Sequence, residues 1–311
     1  MRPRVAAIVV TRNRPVLLAR CLDAVWSQEP RPDMLIVVDN AGDLPAGPLL
    51  NRYPGAILLR LAGNPGPAAA FGRAIREALA AKADLIWMMD DDGMPADRFC
   101  LAALLATARR ESADLVSPLI RDIDHPERLA FPIRRRGRTR FCVATLGESL
   151  DGTGTIEGFA HLFNGALVRT TTFLRAGLPN PRLFIRGDEV EFLLRLRRHG
   201  LRVITDPAIA FLHPSSNAEV RPILGGRFYA VVPDDPVKRF HQFRNRGWIF
   251  ARYGMWGWLA ADHVRYACWY LAEARDPAGY ARWLRLTWAG VLGRLDPYAA
   301  IVAAPRMAMA T

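Results

Sequence analysis

Short apolar runs alternate with helical patterns in the first part of the chain, and this alternation constrains the fold more than any other feature. The runs cover 5–10, 34–38, 56–61 and 83–89. The first run carries no charge, as expected for a strand that is buried on both faces. Strands that alternate with helices are typical of parallel sheets. The sequence therefore predicts an α/β fold with a Rossmann-like, mostly parallel sheet.

Polar residues follow each of these predicted strands. They are Thr11, Asp39, Asn64 and Asp90. In open α/β sheets, ligands bind outside the carboxyl ends of the strands. One polar strand end is ordinary turn chemistry, but four in succession indicate a ligand site at this edge of the sheet.

The most acidic of these strand ends is the triplet Asp90, Asp91 and Asp92. Adjacent carboxylates repel each other unless a cation lies between them, and Mg²⁺ or Mn²⁺ takes oxygen ligands of this kind. His213 ends a later apolar run, and an imidazole beside two carboxylates suits Mn²⁺ better than Ca²⁺. The alternative is an acidic loop that caps a helix beginning near Asp97.

A second acidic cluster contains Asp188, Glu189 and Glu191. Acidic residues at a helix N-terminus cap free N–H groups, and Glu191 is spaced to pair with Arg195 on the next turn. The functional alternative is that one of these carboxylates is a general base, which must lie within hydrogen-bond reach of a hydroxyl.

Charge and cysteine usage restrict the partners and the compartment. The net charge of +12 favours anionic partners such as nucleotides or phospholipids. The sequence contains no zinc finger, RNA-binding aromatic signature or basic heptad region, so nucleic acid is not an expected partner. The four cysteines form no CxxC pair, which suits a reducing cytosol. With no visible signal peptide or transmembrane stretch, we predict a cytoplasmic protein, with peripheral contact at the inner face of the cell membrane as an option.

The chain is predicted to have three parts: a catalytic domain over 1–215, a mobile loop over 216–237 and a helical region over 238–311. Six of the eight tryptophans lie in the last part, interleaved with arginines. Aromatic rings beside arginines suit a membrane interface. Packing of these helices on the catalytic domain or on another subunit is the alternative, so a homo-oligomer remains open.

The middle segment, 121–158, is polar and rich in glycine, and it contains the basic run RRRGRTR over 134–140. A solvated loop or hairpin face is the favoured interpretation of this run. The functional alternative is a contact with a diphosphate or an anionic acceptor.

Taken together, the order of these motifs resembles the inverting glycosyltransferases of family 2, which have the GT-A nucleotide-diphospho-sugar transferase fold. The matching segments are VVTRNRP (9–15), IVVDN (36–40), NPG (64–66), MDDD (89–92), GDEVEF (187–192), FLH (211–213) and FRN (243–245). Within the family, the pattern is most similar to bacterial galactofuranosyltransferases of cell-wall and surface-glycan assembly. Rhamnosyltransferases share much of it.

The resemblance implies a role for each matching residue. Thr11, Arg12 and Asp39 would hold the nucleotide base and ribose, Asn64 would lie near the ribose or diphosphate, and Asp91 would contact the donor. Asp90, Asp92 and His213 would bind Mn²⁺ or Mg²⁺ with the donor diphosphate. Glu189 would be the catalytic base, with Asp188 as the alternative. Arg186 and Glu191 would contact the acceptor.

The implied reaction moves galactofuranose from UDP-galactofuranose to a glycan or glycolipid acceptor with inversion. Transfer of rhamnose from a dTDP donor is the closest alternative. A non-catalytic nucleotide-sugar sensor or a membrane scaffold is an alternative from another class. A dinucleotide-binding protein is disfavoured because the glycine-rich segment 63–72 does not match GxGxxG.

Overall fold

The computed structural model describes residues 2–43, 46–135, 137–147, 150, 152, 154–296 and 298. The strands, in chain order, are β1 (Val5–Thr11), β2 (Met34–Asp39), β3 (Ile57–Arg60), β4 (Leu85–Asp90), β5 (Met94–Pro95), β6 (Leu115–Asp122), β7 (Arg128–Arg135), β8 (Arg138–Cys142), β9 (Ile156–Glu157), β10 (Asn164–Arg169), β11 (Val203–His213), β12 (Val220–Ile223) and β13 (Phe228–Val231). The helices are α1 (Pro15–Trp26), α2 (Gly47–Leu50), α3 (Pro67–Ala80), α4 (Cys100–Arg110), α5 (Thr170–Ala176), α6 (Asp188–Arg198), α7 (Pro236–Arg252), α8 (Trp256–Ala267) and α9 (Pro277–Val291).

Two compact units divide the chain. The first contains Met1–Pro181 and Glu189–Asn217, and the second contains Arg182–Asp188 and Ala218–Thr311. The first unit ends at Asn217, and the catalytic domain predicted for 1–215 stays a prediction.

A mixed, mostly parallel sheet forms the centre of the first unit, with the strand order β3-β2-β1-β4-β10-β6-β11-β5. β1 is buried along its whole length and pairs in parallel with β2 and β4. Apolar clusters cover both faces of the sheet, one with α1 and α4 and the other with α3 and α6. The predicted α/β class and parallel sheet are confirmed.

One strand runs against its neighbours at the middle of this sheet. β10 pairs antiparallel with both β4 and β6. Its N-terminal end therefore lies at the edge where the parallel strands have their carboxyl ends. This reversal places the Phe163–Asn164 peptide beside the acidic triplet.

Two segments differ from the sequence-based expectation. The predicted strands 202–205 and 208–212 form the single strand β11, whose register against β6 shifts between Asp206 and Ala210. The bulge at this shift absorbs Pro207, so the proline does not end the strand. The basic run lies in the β7–β8 hairpin, as in the favoured interpretation, with Arg136 outside the described residues.

The second unit combines a β-ribbon with helices. Segment 216–237, predicted to be a mobile loop, contains the antiparallel pair β12–β13. Glycines and prolines in this segment obscure the strand pattern in the sequence. Gly225 and Gly226 lie in the turn between the two strands and have positive φ. Whether the segment is mobile stays a prediction.

The helices α7, α8 and α9 pack around a cluster that includes Tyr266 and Trp283. Gly247 on α7 lies against Thr287, and Gly290 on α9 lies against Arg244, so a Cβ at either glycine would overlap the facing backbone. No helix within the described residues combines the length and apolar character needed to cross a membrane.

Candidate active site

The carboxyl ends of β1, β2 and β4 meet at one edge of the sheet. Thr11 is in register with Asp39, and Val10 is in register with Asp90. The backbone N–H of Asp91 donates to the Val10 carbonyl over 3.1 Å. The strand ends Thr11, Asp39 and Asp90 therefore converge, as the sequence pattern predicts.

Within the triplet, Asp91 faces the protein interior. It is only 3 % exposed, and its Oδ2 accepts a hydrogen bond of 2.7 Å from the Thr11 hydroxyl. The Arg14 guanidinium lies 3.2 Å from its Oδ1. Thr11 and Asp91, both predicted to contact the donor, are thus bonded to each other in this structure.

Asp92 points the other way, toward His213. Arg14 donates to its Oδ2 over 2.7 Å, and His213 Nε2 lies 3.1 Å from its Oδ1. His213 Nδ1 lies 2.6 Å from the Pro214 carbonyl. A carbonyl oxygen only accepts, so Nδ1 carries a proton, and Nε2 is the ring nitrogen that faces Asp92.

This pair fits a divalent cation. Asp92 Oδ1 is buried and receives no well-aligned hydrogen bond, and a carboxylate oxygen of this kind is a ligand that divalent cations prefer. Two ligands at a right angle on an ion with bonds of about 2.1 Å lie about 3 Å apart. The observed 3.1 Å between Oδ1 and Nε2 therefore suits two ligands of one ion.

The third predicted ligand does not complete a cluster here. Among the described residues, no group of three or more His, Cys, Asp and Glu side chains is arranged to hold a metal ion. Asp90 is fixed through its backbone, which donates to the Phe163 carbonyl over 2.9 Å. The structure thus brings Asp92 and His213 together, and the metal role of all three residues stays a prediction.

Close packing under the site sets the position of His213. The Phe211 ring, two residues earlier on β11, lies against Gly93 and Gly165, and a Cβ at either glycine would come within 2.5 Å of it. On β7, Phe131 contacts the His213 ring at a centroid distance of 4.8 Å. These contacts orient the imidazole toward Asp92.

Glu189 connects with the triplet through Phe163. Glu189 Oε1 accepts from the Phe163 N–H over 3.2 Å, while the Phe163 carbonyl accepts from Asp90 N. One residue at the start of β10 therefore positions both the predicted base and the acidic strand end. Its side chain stacks on Phe71 with ring centroids 4.0 Å apart.

The other residues of the second acidic cluster have different surroundings. Glu191 is buried and forms two bonds with Arg195, of 3.0 and 2.8 Å, as its i,i+4 spacing indicates. Asp188 is buried at the first position of α6. Arg186, predicted to contact the acceptor, forms an ion pair with Glu219 at 2.8 Å.

A polar network surrounds the end of β2. Asp39 Oδ1 accepts from the Gly42 N–H over 2.9 Å. Asn40 donates to Asn64 Oδ1 over 3.0 Å, while its own buried Oδ1 has no partner. Arg12 is exposed on the loop after β1. The network leaves an unsatisfied acceptor beside Asn64, where a nucleotide is predicted to bind.

The pKa values of Asp91 and Asp92 are shifted in opposite directions. Burial raises the pKa of Asp91 above its ordinary value, although Thr11 and Arg14 act against this rise. For Asp92, burial also acts to raise the pKa, but His213 and Arg14 outweigh it, and the pKa falls to about 2. Asp92 is therefore ionised at neutral pH, as a metal ligand must be.

Comparison with known proteins decides the family. The sequence profile of the glycosyl transferase family 2 matches residues 6–164, just over half of the chain. The chain is also 44 % identical to the galactofuranosyltransferase GlfT1 of Mycolicibacterium smegmatis, over 91 % of this chain and 94 % of that protein. The chain belongs to glycosyltransferase family 2. This glycosyltransferase is 24 % identical to the dTDP-rhamnosyl transferase RfbF of Shigella flexneri, over 79 % of each chain.

Solved structures support the GT-A-like fold of this family 2 enzyme. The mannosyltransferase PcManGT from Pyrobaculum calidifontis, in complex with GDP-Man and Mn²⁺, matches with a TM-score of 0.54 at 18 % identity, over 100 % of this chain and 81 % of that one. GalNAc-T7 with UDP, GalNAc and Mn²⁺ matches with a TM-score of 0.56 at 13 % identity, over 80 % of this chain and 47 % of that one.

Sequence reasoning missed three contributors to the site of this glycosyltransferase. Arg14 contacts two of the three carboxylates, Phe163 contributes only backbone groups, and Asn164 is buried with an unsatisfied Oδ1 at the same edge. The order Arg12-Asn13-Arg14 does not indicate which arginine faces the triplet. Backbone contacts of Phe163 have no sequence signature at all.

Proposed function

We propose that this enzyme transfers galactofuranose from UDP-galactofuranose to a hydroxyl of a cell-wall or surface-glycan acceptor. The observation that supports the chemistry most directly is the Phe163 peptide, which holds Glu189 beside the triplet. The choice of sugar rests on the 44 % identity with galactofuranosyltransferase GlfT1. The weaker likeness to RfbF makes rhamnose transfer from a dTDP donor the second candidate.

In this proposal, Glu189 accepts the proton of the acceptor hydroxyl while the hydroxyl oxygen attacks the anomeric carbon. The bond from that carbon to the diphosphate oxygen breaks, and its electrons leave with the nucleoside diphosphate. With one base and no enzymic nucleophile, a single displacement inverts the anomeric centre.

Asp92 and His213 are the residues proposed to hold Mn²⁺ or Mg²⁺, together with Asp90. A divalent ion bound there would supply Lewis-acid stabilisation of the charge that develops on the leaving diphosphate. Asp39, Asn40 and Asn64 would bind the nucleoside through the polar network at the end of β2, with Arg12 and Thr11 beside it.

Calorimetric titration of UDP and dTDP, with and without Mn²⁺, tests this proposal on the wild type and on Asp92→Ala. We expect metal-dependent binding of UDP that the substitution abolishes, and inverting transfer from UDP-galactofuranose. A preference for dTDP would favour rhamnose transfer. Failure to bind either nucleotide in the presence of metal would contradict a donor site and favour a scaffold.

We also propose that the second unit contacts an anionic membrane surface through α8. The positions of α8 that are exposed all carry uncharged side chains or glycine: Trp256, Gly257, Trp258, Ala260, Ala261 and Val264. Its Asp262 is instead buried and paired with Arg246 and Arg265. An exposed apolar face on a basic protein suits the headgroup region of an anionic bilayer, where a glycolipid acceptor would lie.

Flotation with phosphatidylglycerol liposomes tests this contact. We expect the wild type to float, and Trp256→Ser/Trp258→Ser to remain in the lower fractions. Leu174→Ser, which replaces a 73 % exposed side chain in the first unit, is the matched control and should float like the wild type. Equal recovery with and without liposomes would exclude the membrane. A dimer in sedimentation that only the tryptophan variant abolishes would assign the face to a second copy of the chain.

A further inference from the structure

Arg14 is the residue just before α1, and its guanidinium lies directly on the acidic triplet. Nη1 is 3.2 Å from Asp91 Oδ1 and 2.7 Å from Asp92 Oδ2, and the side chain is 45 % exposed. Arg14 is therefore a positive charge shared by two adjacent carboxylates, and it offsets part of their mutual repulsion. A half-exposed arginine that bridges two mostly buried carboxylates faces both the protein and the mouth of the site.

The Asp92 carboxylate is shared between two partners. Its Oδ2 accepts from Arg14, and its Oδ1 lies 3.1 Å from His213 Nε2. A cation held by Asp92 and His213 would therefore lie close to the Arg14 guanidinium. Two positive centres on one carboxylate repel each other, so each lowers the affinity of that carboxylate for the other.

The chemistry of arginine suits a second partner at this location. A guanidinium binds phosphate oxygens through paired hydrogen bonds and cannot be deprotonated in a protein. A nucleoside diphosphate brings negative charge to the same mouth of the site. Arg14 can then exchange its carboxylate contacts for diphosphate contacts without a loss of charge pairing.

We propose that Arg14 is a resident counterion that competes with the divalent cation for Asp92 and transfers to the donor diphosphate when the donor binds. Metal and donor consequently bind cooperatively. The donor draws Arg14 away from Asp92, which favours the metal, and the metal displaces Arg14 from Asp92, which frees Arg14 to bind the donor. The free enzyme therefore binds the metal weakly, and tight binding of the metal requires the donor. This assignment rests on the proposed donor site.

The test is Mn²⁺ binding to the purified protein, read from the electron paramagnetic resonance signal of free Mn²⁺, with and without UDP. Variants are Arg14→Gln and Arg14→Lys, with Arg20→Gln as the control, since Arg20 is exposed on the same helix. Because the Arg14 side chain is half-exposed, removal of its competing charge should tighten binding of Mn²⁺ alone about tenfold. In the same variant, binding of UDP in saturating Mn²⁺ should weaken about tenfold, because a charge-assisted phosphate contact is lost.

If Arg14 exchanges partners, Arg14→Gln raises the affinity for Mn²⁺ alone and lowers the affinity for UDP. Arg14→Lys keeps the charge but not the paired geometry, so it should fall between the wild type and Arg14→Gln for UDP. Arg20→Gln should match the wild type in both titrations. Equal or weaker binding of Mn²⁺ alone to Arg14→Gln would overturn the inference, because Arg14 would then only hold Asp92 in place.

The failure of this inference is distinguishable from the failure of the proposed function. If the wild type binds UDP with Mn²⁺ but Arg14→Gln does not tighten the binding of Mn²⁺ alone, only the exchange role is wrong. If the wild type binds neither Mn²⁺ nor UDP, the donor site itself is wrong, and the role of Arg14 is overturned with it. Thermal unfolding of each variant separates both results from loss of the fold.

Discussion

At the scale of single residues, one residue connects the acidic triplet with the second acidic cluster. Glu189 and Asp90 are bonded to the N–H and carbonyl of the same residue, Phe163. If Glu189 is the base, as proposed, a carboxylate fixed in this way needs little reorganisation before it accepts a proton.

Substitution of Glu189 tests its proposed role as the base directly. Glu189→Gln keeps an oxygen acceptor for the Phe163 N–H but cannot accept a proton, so we expect kcat to fall by about 10²- to 10⁴-fold. Affinity for UDP with Mn²⁺ should change little. Steady-state transfer kinetics and calorimetry measure the two quantities.

Asp188→Asn is the matched comparison, because it removes the neighbouring carboxylate instead. It should retain most of the activity if Glu189 is the base. The reverse result, with the larger loss in Asp188→Asn, would transfer the base role to Asp188.

The glycines under Phe211 are a second feature of the residue scale. Gly165 has φ of +83°, and a Cβ there would lie 2.5 Å from the Phe211 ring. We expect Gly165→Ala to lower the free energy of unfolding by about 2 kcal/mol through strain and overpacking. Guanidinium denaturation measures this.

Gly257→Ala is the control, since an added Cβ there meets no atom within 4 Å and the position is helical. Its free energy of unfolding should stay equal or rise by up to about 1 kcal/mol. If both variants have the same stability as the wild type, the close contact with Phe211 is not tight.

At the scale of elements, the apolar runs predict the central strands β1–β4 but not the order of the strands in the sheet. The polar ends of β1, β2 and β4 can be predicted from the sequence because each follows a buried run. Parallel pairing then brings the carboxyl ends of these strands to one edge of the sheet. The reversed direction of β10 cannot be predicted from the sequence, because the apolar run 163–168 suits a parallel and an antiparallel strand equally. The backbone contacts of Phe163 follow from that reversal, so this half of the site could not be derived from side chains.

The helix α7 provides a second element-level device, in the Arg244-Asn245 pair. The Asn245 amide donates to the carbonyls of Leu183, Ile185 and Arg186, over 2.7, 3.1 and 2.6 Å, and its Oδ1 accepts from Arg244. One buried side chain thus satisfies a whole turn of backbone. The sequence indicates the pair as a motif but gives no sign of its partners.

Loss of these donors should destabilise the protein. We expect Asn245→Ala to lower the free energy of unfolding by about 3 kcal/mol, since three carbonyls each lose a hydrogen bond from a buried amide. Asn245→Asp has nearly the same shape but places a carboxylate against the same carbonyls, so it should cost more than the alanine. Chemical denaturation ranks the two variants, and equal stability of Asn245→Asp and the wild type would contradict the assigned hydrogen bonds.

At the scale of the whole molecule, each unit buries a histidine that resists protonation. Burial, with help from His213, lowers the pKa of His161 to about 4. Burial and the neighbouring Arg244 lower the pKa of His241 to about 3. In the unfolded chain a histidine takes up its proton near pH 6.5. The unfolded state therefore binds more protons between these values, and stability falls as the pH is lowered from about 6.5 toward 4.

His161→Phe tests this pH dependence. The His161 ring packs against Phe131 and Phe159, so an aromatic replacement keeps the packing and removes the proton site. We expect the free energy of unfolding of the variant to fall less steeply between pH 7 and pH 5 than that of the wild type. Denaturation curves at several pH values measure the slope, and parallel curves for the two proteins would contradict the assignment.

The Phe163 junction has a consequence for how this enzyme can vary over evolutionary time. Its contacts use the main chain, and every amino acid but one supplies both groups, so most replacements at this codon retain the N–H and the carbonyl that form the linkage. Only proline deletes the N–H that Glu189 requires. No single-nucleotide change converts a phenylalanine codon to a proline codon, so the linkage is protected from point mutation by the genetic code itself.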